Sequence, residues 1–151
     1  VNPILQKLNV KPGVTALVEN VPDALQPLID ELKLVATVYD AVLGAEPVQW
    51  ALLFVTKQEQ IDALTPLVAE KAPGDAAVWF AYPKGTSKRY KCDFNRDTGW
   101  ATLGRYGFEG VRQVAIDEDW SALRFRRVEF VKTMKRDPKR AITEAGKERL
   151  K

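Results

Sequence analysis

The chain has 151 residues, 46% of them hydrophobic and 28% charged, the balance of a single globular domain that can bury a core without disulfides or metal. No stretch approaches the about 18 apolar residues of a membrane-spanning helix. Histidine is absent and Cys92 is the only cysteine, which excludes Ser-His-Asp and Cys-His catalysis within one chain, histidine-ligated zinc and an intrachain disulfide.

In chain order, Asn2 and Pro3 are set to cap and open a short helix to residue 8. Lys11-Pro12-Gly13 is a turn, and residues 14–18 form a first apolar strand. Pro22-Asp23 opens a helix with Leu25, Leu28, Ile29 and Leu32 on one face. Residues 35–39 are a second strand and 50–55 a third. The third is apolar at alternate and intervening positions alike, so both of its faces need cover, as in a parallel sheet. Thr56 and Glu59 have the spacing of a capping box for a helix carrying Ile61, Leu64, Leu67 and Val68, which Pro73-Gly74 ends. Residues 76–81 are a fourth strand, stopped by Pro83. Asp97 or Thr98 caps a helix with Trp100, Leu103 and Tyr106, which Gly107 closes. Residues 111–116 and 122–128 form a final hairpin around Asp117-Glu118-Asp119, with Arg124 and Arg126 on one face.

This alternation predicts an α/β fold with a mostly parallel sheet of six strands, in the order 2-1-3-4-6-5 with right-handed crossovers. The net charge of +3 is unevenly placed. Residues 132–151 carry eight Lys or Arg and three Asp or Glu, which leaves 15 basic and 17 acidic residues in 1–131. The division expected is an α/β domain over 1–131 and a basic C-terminal tail over 132–151. That tail lacks interleaved aromatics, so it reads as a solvated terminus, and nucleic acid is the least supported partner. With no signal-peptide pattern at the N-terminus and one cysteine, a cytoplasmic, membrane-free protein is expected.

The order of elements is similar to the class I methyltransferase branch of the Rossmann-like folds, shortened by one strand. The sequence resembles a family of small bacterial Rossmann-like proteins known as a domain of unknown function. The resemblance rests on Leu8-Asn9-Val10-Lys11-Pro12-Gly13, Leu53-Phe54-Val55-Thr56, Trp79-Phe80-Ala81-Tyr82-Pro83-Lys84 and the run from Asp117 to Phe125. It covers roughly residues 4 to 128 and implies a three-layer Rossmann-like fold ending in an antiparallel hairpin, with no activity attached.

Five features are candidates for a site. A dinucleotide or S-adenosylmethionine pocket needs glycines after the first strand. Here the turn reads Glu19-Asn20-Val21-Pro22-Asp23, with only Asp40, after the second strand, in the place of a ribose-binding acid. No cofactor is therefore expected. The loop after the fourth strand offers Lys84, Gly85, Thr86, Ser87 and Lys88, then Arg89 and Lys91, at the edge where α/β proteins bind ligands, so an anionic small molecule is the expected partner. Asp93, Asn95, Arg96 and Asp97 follow, as polar ligands or as supports of the next helix. The acidic turn 117–119 is read as salt-bridged to Arg124, Arg126 or the preceding loop, with no metal site. Cys92 sits among basic residues, which would favour its thiolate, but it has no resolving partner. The leading expectation is a degenerate, non-catalytic or weakly ligand-binding domain, with a homodimer through the hairpin edge as the self-association the pattern allows. The alternative is an enzyme, a diverged transferase acting on an anionic small molecule. Lys84 and Lys88 would neutralise its charge, with Asp93 or Asp97 as base.

Overall fold

In the computed structural model, which describes residues 2–41, 47–94 and 98–131, the chain begins with α1 (Pro3–Lys7). Asn2 Oδ1 accepts the N–H groups of Ile4 at 2.8 Å and Leu5 at 3.4 Å, and Pro3 takes the position where a missing N–H costs nothing. Asn9, at φ 60°, ends the helix in the left-handed conformation asparagine tolerates. β1 (Thr15–Glu19) follows, then a 3-10 turn (Asp23–Leu25) that leads into α2 (Gln26–Lys33). Leu25, Leu28, Ile29 and Leu32 are all buried, as their spacing requires. β2 (Thr37–Tyr39), β3 (Trp50–Phe54), α3 (Gln58–Lys71), β4 (Ala77–Pro83), α4 (Ala101–Arg105), β5 (Phe108–Ala115) and β6 (Trp120–Arg127) complete the fold.

The six strands lie in the expected order, β2-β1-β3-β4-β6-β5. The first three pairings are parallel, and β6 runs antiparallel to both β4 and β5. Every residue of β3 and β4 is buried. That requires a helical layer on each face, and the side chains supply two cores. Leu53, Val78, Phe80 and Phe125 pack with Ile61, Val68 and Leu103 of α3 and α4. Leu52, Trp79 and Ala122 pack with Leu5, Leu28, Ile29 and Leu32 of α1 and α2. Among the described residues no helix is long and apolar enough to cross a membrane.

Several local expectations are corrected. β4 does not stop before Pro83 but runs through it, because Pro83 is the last residue in register with β6 and has no further N–H to donate. The start of α3 is set one residue later than the Thr56/Glu59 spacing suggests. Gln60 Oε1 accepts the N–H groups of Thr56 at 2.7 Å and Lys57 at 3.1 Å. Thr98 does not cap α4: Trp100 occupies the cap position and makes no side-chain cap bond. Asp97, the other expected cap, lies outside the described residues, as does the tail 132–151. Tyr106, expected on the buried face of α4, is 46% exposed.

Two of the arginines of β6, Arg126 and Arg127, bind structure, so the strand does not form one open basic face. Arg127 donates to the carbonyls of Ala69, Ala72 and Gly74 at 2.7–2.8 Å, closing the C-terminal end of α3, and its guanidinium lies 4.7 Å from the Phe108 ring centroid. Arg126 holds Asp75 through Nε at 2.7 Å and Nη2 at 2.6 Å. Arg127→Met keeps the aliphatic stem but leaves those carbonyls unpaired. It should cost about 2 kcal/mol, read as a lower urea midpoint at unchanged m-value. The hydrogen bonds from Arg126 hold the Asp75 carboxyl below the ordinary carboxylate range. A depressed folded pKa stabilises above the unfolded value of about 4 and is lost as pH falls through the folded value. The stability gap between the native protein and Asp75→Asn should therefore be constant from about pH 7 to 5 and close below about pH 4. A gap that stays open in acid would show that the pair does not titrate with folding.

Candidate functional site

The site grows out of the antiparallel return of β6. Pro83, at the carboxyl end of β4, is in register with Trp120, the first residue of β6. The acidic turn 117–119 is thereby carried to the same edge as the loop that leaves β4. Asp117 Oδ1 accepts the N–H groups of Asp119 and Trp120, both at 2.8 Å, and closes the turn on itself. Asp119 is 7% exposed. Its carboxylate accepts Ser87 Oγ–H at 2.8 Å and lies 3.9 Å from Arg89 Nη1, while its carbonyl accepts Lys84 N–H at 2.8 Å. Ser87 Oγ in turn accepts Tyr90 N–H at 3.1 Å, and the Tyr90 ring packs against Trp120 at 5.0 Å. Of the partners expected for this turn, Asp119 thus takes the preceding loop, through Ser87 and Arg89, and not Arg124 or Arg126.

The second half of the loop is tied to α3 instead. Asp93 Oδ1 accepts the N–H of Gln58 at 2.7 Å, supplying from a distant segment the acceptor that the first turn of α3 needs. Gln58 Nε2 donates to Gly99 O at 2.7 Å. Gly99 stands at φ 95°, and a Cβ there would fall 2.8 Å from Phe94 Cβ, so the close approach requires glycine. Phe94, Tyr82 and Trp100 form a ring cluster with centroids 5.2–6.1 Å apart beneath it.

Between these two anchors lies a cleft of about 640 Å³, within the size range of ligand pockets. Tyr82 and Pro83 form its floor. Lys84, Gly85, Ser87, Tyr90, Lys91 and Cys92 contribute from the loop, Phe94 closes one end, and Gln113 and Ser121 come from the hairpin. Gln113 Nε2 donates to Tyr82 Oη at 3.2 Å, and the half-buried Cys92 thiol donates to Phe94 O at 2.8 Å. Among the described residues the lining has two lysines and no carboxylate, which suits an anion.

Of the residues singled out from sequence, Lys84, Gly85, Ser87, Lys91 and Cys92 stand in the cleft wall. Thr86 and Lys88 are exposed on the same loop outside the lining, and Asp93 is at the start of α3. Asn95, Arg96 and Asp97 lie outside the described residues. Asp40 is exposed after β2, an edge strand three places from β4. Tyr82, Gln113 and Ser121 escaped sequence reasoning because they reach the cleft only through strand register. The pairing of Tyr82 with Ser121 is the signal that finds them.

The crevice between β1 and β3, where the strand order reverses, is where a fold of this kind would hold a nucleotide cofactor. Its residues do not fit one. The turn after β1 carries a side chain at every position from Glu19 to Asp23, and Pro22 has no N–H. Asn20, at φ 59°, takes the conformation a glycine would, but its amide Nδ2 reaches across to Phe54 O at 3.3 Å and bridges the two strand ends.

No family model and no curated protein matches the sequence. Solved structures do share the fold. A SAM-dependent methyltransferase from Aquifex aeolicus superposes with TM-score 0.58 at 12% identity, over 83% of this chain and 88% of that one. A putative type 11 methyltransferase from Sulfolobus solfataricus gives 0.54 at 8% identity, over 89% and 93%. The N-methyltransferase NodS from Bradyrhizobium japonicum, in complex with S-adenosyl-l-homocysteine, gives 0.50 at 14% identity, over 84% and 89%. The class I methyltransferase-like fold is thus that of this chain. The comparison also corrects the leading expectation. Absent glycines and histidine argued for a non-catalytic domain, whereas the structures named here as sharing this fold are methyltransferases, which favours the transferase alternative.

Asp93→Ala should remove the acceptor at the start of α3 and cost about 1 kcal/mol, measured by urea unfolding. A mutant as stable as the native protein would mean that Asp93 is not held by α3.

Proposed function

We propose that the protein is an enzyme of the transferase type that takes an anionic small molecule in the cleft after β4. The observation that carries this reading is the cleft itself, with Lys84 and Lys91 in its wall and no carboxylate among its described lining residues. Two ammonium groups beside a largely apolar, aromatic floor favour a ligand with a charged head and an organic body. Lys84 and Lys91 neutralise the head, Ser121 and the Gln113–Tyr82 pair supply neutral polar contacts, and Tyr90, backed by Trp120, walls the loop side.

The same lining limits the chemistry. Among the described residues it holds neither imidazole nor carboxylate, and the groups in it that can carry a proton are Cys92, Tyr82, Tyr90 and the two lysines. Asp93 is taken by α3, and Asp119 by Ser87 and Arg89. The lining suits an acceptor that is nucleophilic without losing a proton, such as an ionised carboxylate, phosphate or thiolate. The protein's part is to desolvate and orient it. The crevice beside Asn20 gives no support for a nucleotide donor, and the donor is left unassigned. The membership suggested by sequence, in a small bacterial Rossmann-like family, is part of the same proposal, and so are the cytoplasmic setting and the self-association through β5.

A thermal-shift panel of phosphorylated and carboxylated metabolites tests the reading. A ligand at about 100 times its Kd should add about 2.7 kcal/mol of stability, a rise of about 5–10 °C for a domain of this size. Lys84→Ala and Lys91→Ala should each remove at least half of that rise. A panel without response, or a response unchanged in both variants, overturns the assignment. A response to S-adenosylmethionine alone would move the ligand to the crevice beside Asn20.

A further inference from the structure

The opposite edge of the sheet holds a second cavity of about 740 Å³, bounded by the segments that enter β1, β3 and β4 and by the far end of β6. Arg124 stands in its wall. The side chain is half-buried, and its Nε–H is shut off from solvent with no hydrogen-bond partner among the described residues. A buried donor left unpaired is costly, more so when it is charged. Burial, then the like charge of Arg126, push this arginine's pKa down, with Asp75 opposing the shift and Arg112 adding to it. Arg112 is the cross-strand partner of Arg124 in β5, and like charges directly opposite destabilise a sheet. The carboxylate on the cavity wall, Asp75, is already bound through both oxygens by Arg126. Lys11 adds a further cation, and Gln49, whose Oε1 accepts Thr15 N–H at 3.4 Å, keeps its amide NH₂ as a donor. With Asp75 paired to Arg126, Arg124 and Lys11 are the cations left without a carboxylate among the described residues of this cavity.

We infer that this amino-edge cavity is an oxyanion site, distinct from the cleft after β4, in which Arg124 takes a phosphate or carboxylate through its guanidinium fork with Lys11 and Gln49 beside it. An arginine fork pairs two donors with two coplanar oxygens, so the site selects oxyanions over halide.

Side-chain NMR of arginine Nε–H groups in the full chain tests this. Sodium phosphate and sodium succinate are titrated separately against sodium chloride at matched ionic strength. Saturable movement of the Arg124 signal is expected with at least one oxyanion and not with chloride. Phosphate alone would assign phosphoryl groups, and succinate alone carboxylates. Arg124→Lys, which keeps the charge and loses the fork, should weaken binding at least tenfold by the backbone signals of Asn9 and Lys11. Lys11→Ala should weaken it about threefold, and Lys84→Ala should leave it unchanged. Movement that never saturates or that chloride reproduces overturns the inference, as does full binding in Arg124→Lys. If Arg124→Lys fails to fold, Lys11→Ala and Gln49→Ala decide, and undiminished binding in both overturns it.

Discussion

The insertion of β6 between β4 and β5, antiparallel to both, sets where everything else in this molecule falls. Without it the sheet would be wholly parallel, with only strand-to-helix loops at its carboxyl edge. With it, the turn 117–119 meets the loop leaving β4 at one edge, and Arg124, Arg126 and Arg127 meet Asp75 and the end of α3 at the other. One eight-residue strand thus furnishes a wall of the cleft, closes a helix terminus and lines a second cavity.

The loop after β4 shows how structural and ligand-facing roles divide within a short run of residues. Ser87 and Asp119 staple its first half to the hairpin, and Asp93 with Gly99 staples its second half to α3. Lys84, Lys91 and Cys92 stand between the two. A ligand group held by a loop fastened at both ends loses little entropy when it binds, which is how a loop site approaches the precision of a site on a strand. The same fastening takes Asp93 and Asp119 out of acid–base service.

The shared fold and the local site carry different information. Sheet order and helix layers coincide with those of methyltransferase structures at 12% identity or less in the two best superpositions given above, because layer packing tolerates any apolar residue of suitable volume. A phosphate cradle has no such tolerance, since one side chain blocks the approach of backbone to ligand. In this chain Asn20 bridges β1 to β3 at the place where such a cradle would lie. A common fold can host unrelated ligands at different edges, so function has to be argued from the cleft.

Sequence by itself determined the α/β class, the strand order and the helix faces. It did so because periodicity and doubly buried strands are local signals: the unbroken apolar run of residues 50–55 demanded cover on both faces, and Leu25, Leu28, Ile29 and Leu32 could meet one core only as a helix. It also located the basic loop at the ligand edge. Only tertiary structure decided which loop residues face the cleft, that Gln113 and Ser121 join them, that Asp93 serves α3, and that Arg124 is left without a partner for Nε while Arg126 has Asp75. Those outcomes depend on contacts between residues 31 to 51 positions apart. Such contacts follow from register and the direction of β6, and no window of sequence contains both partners.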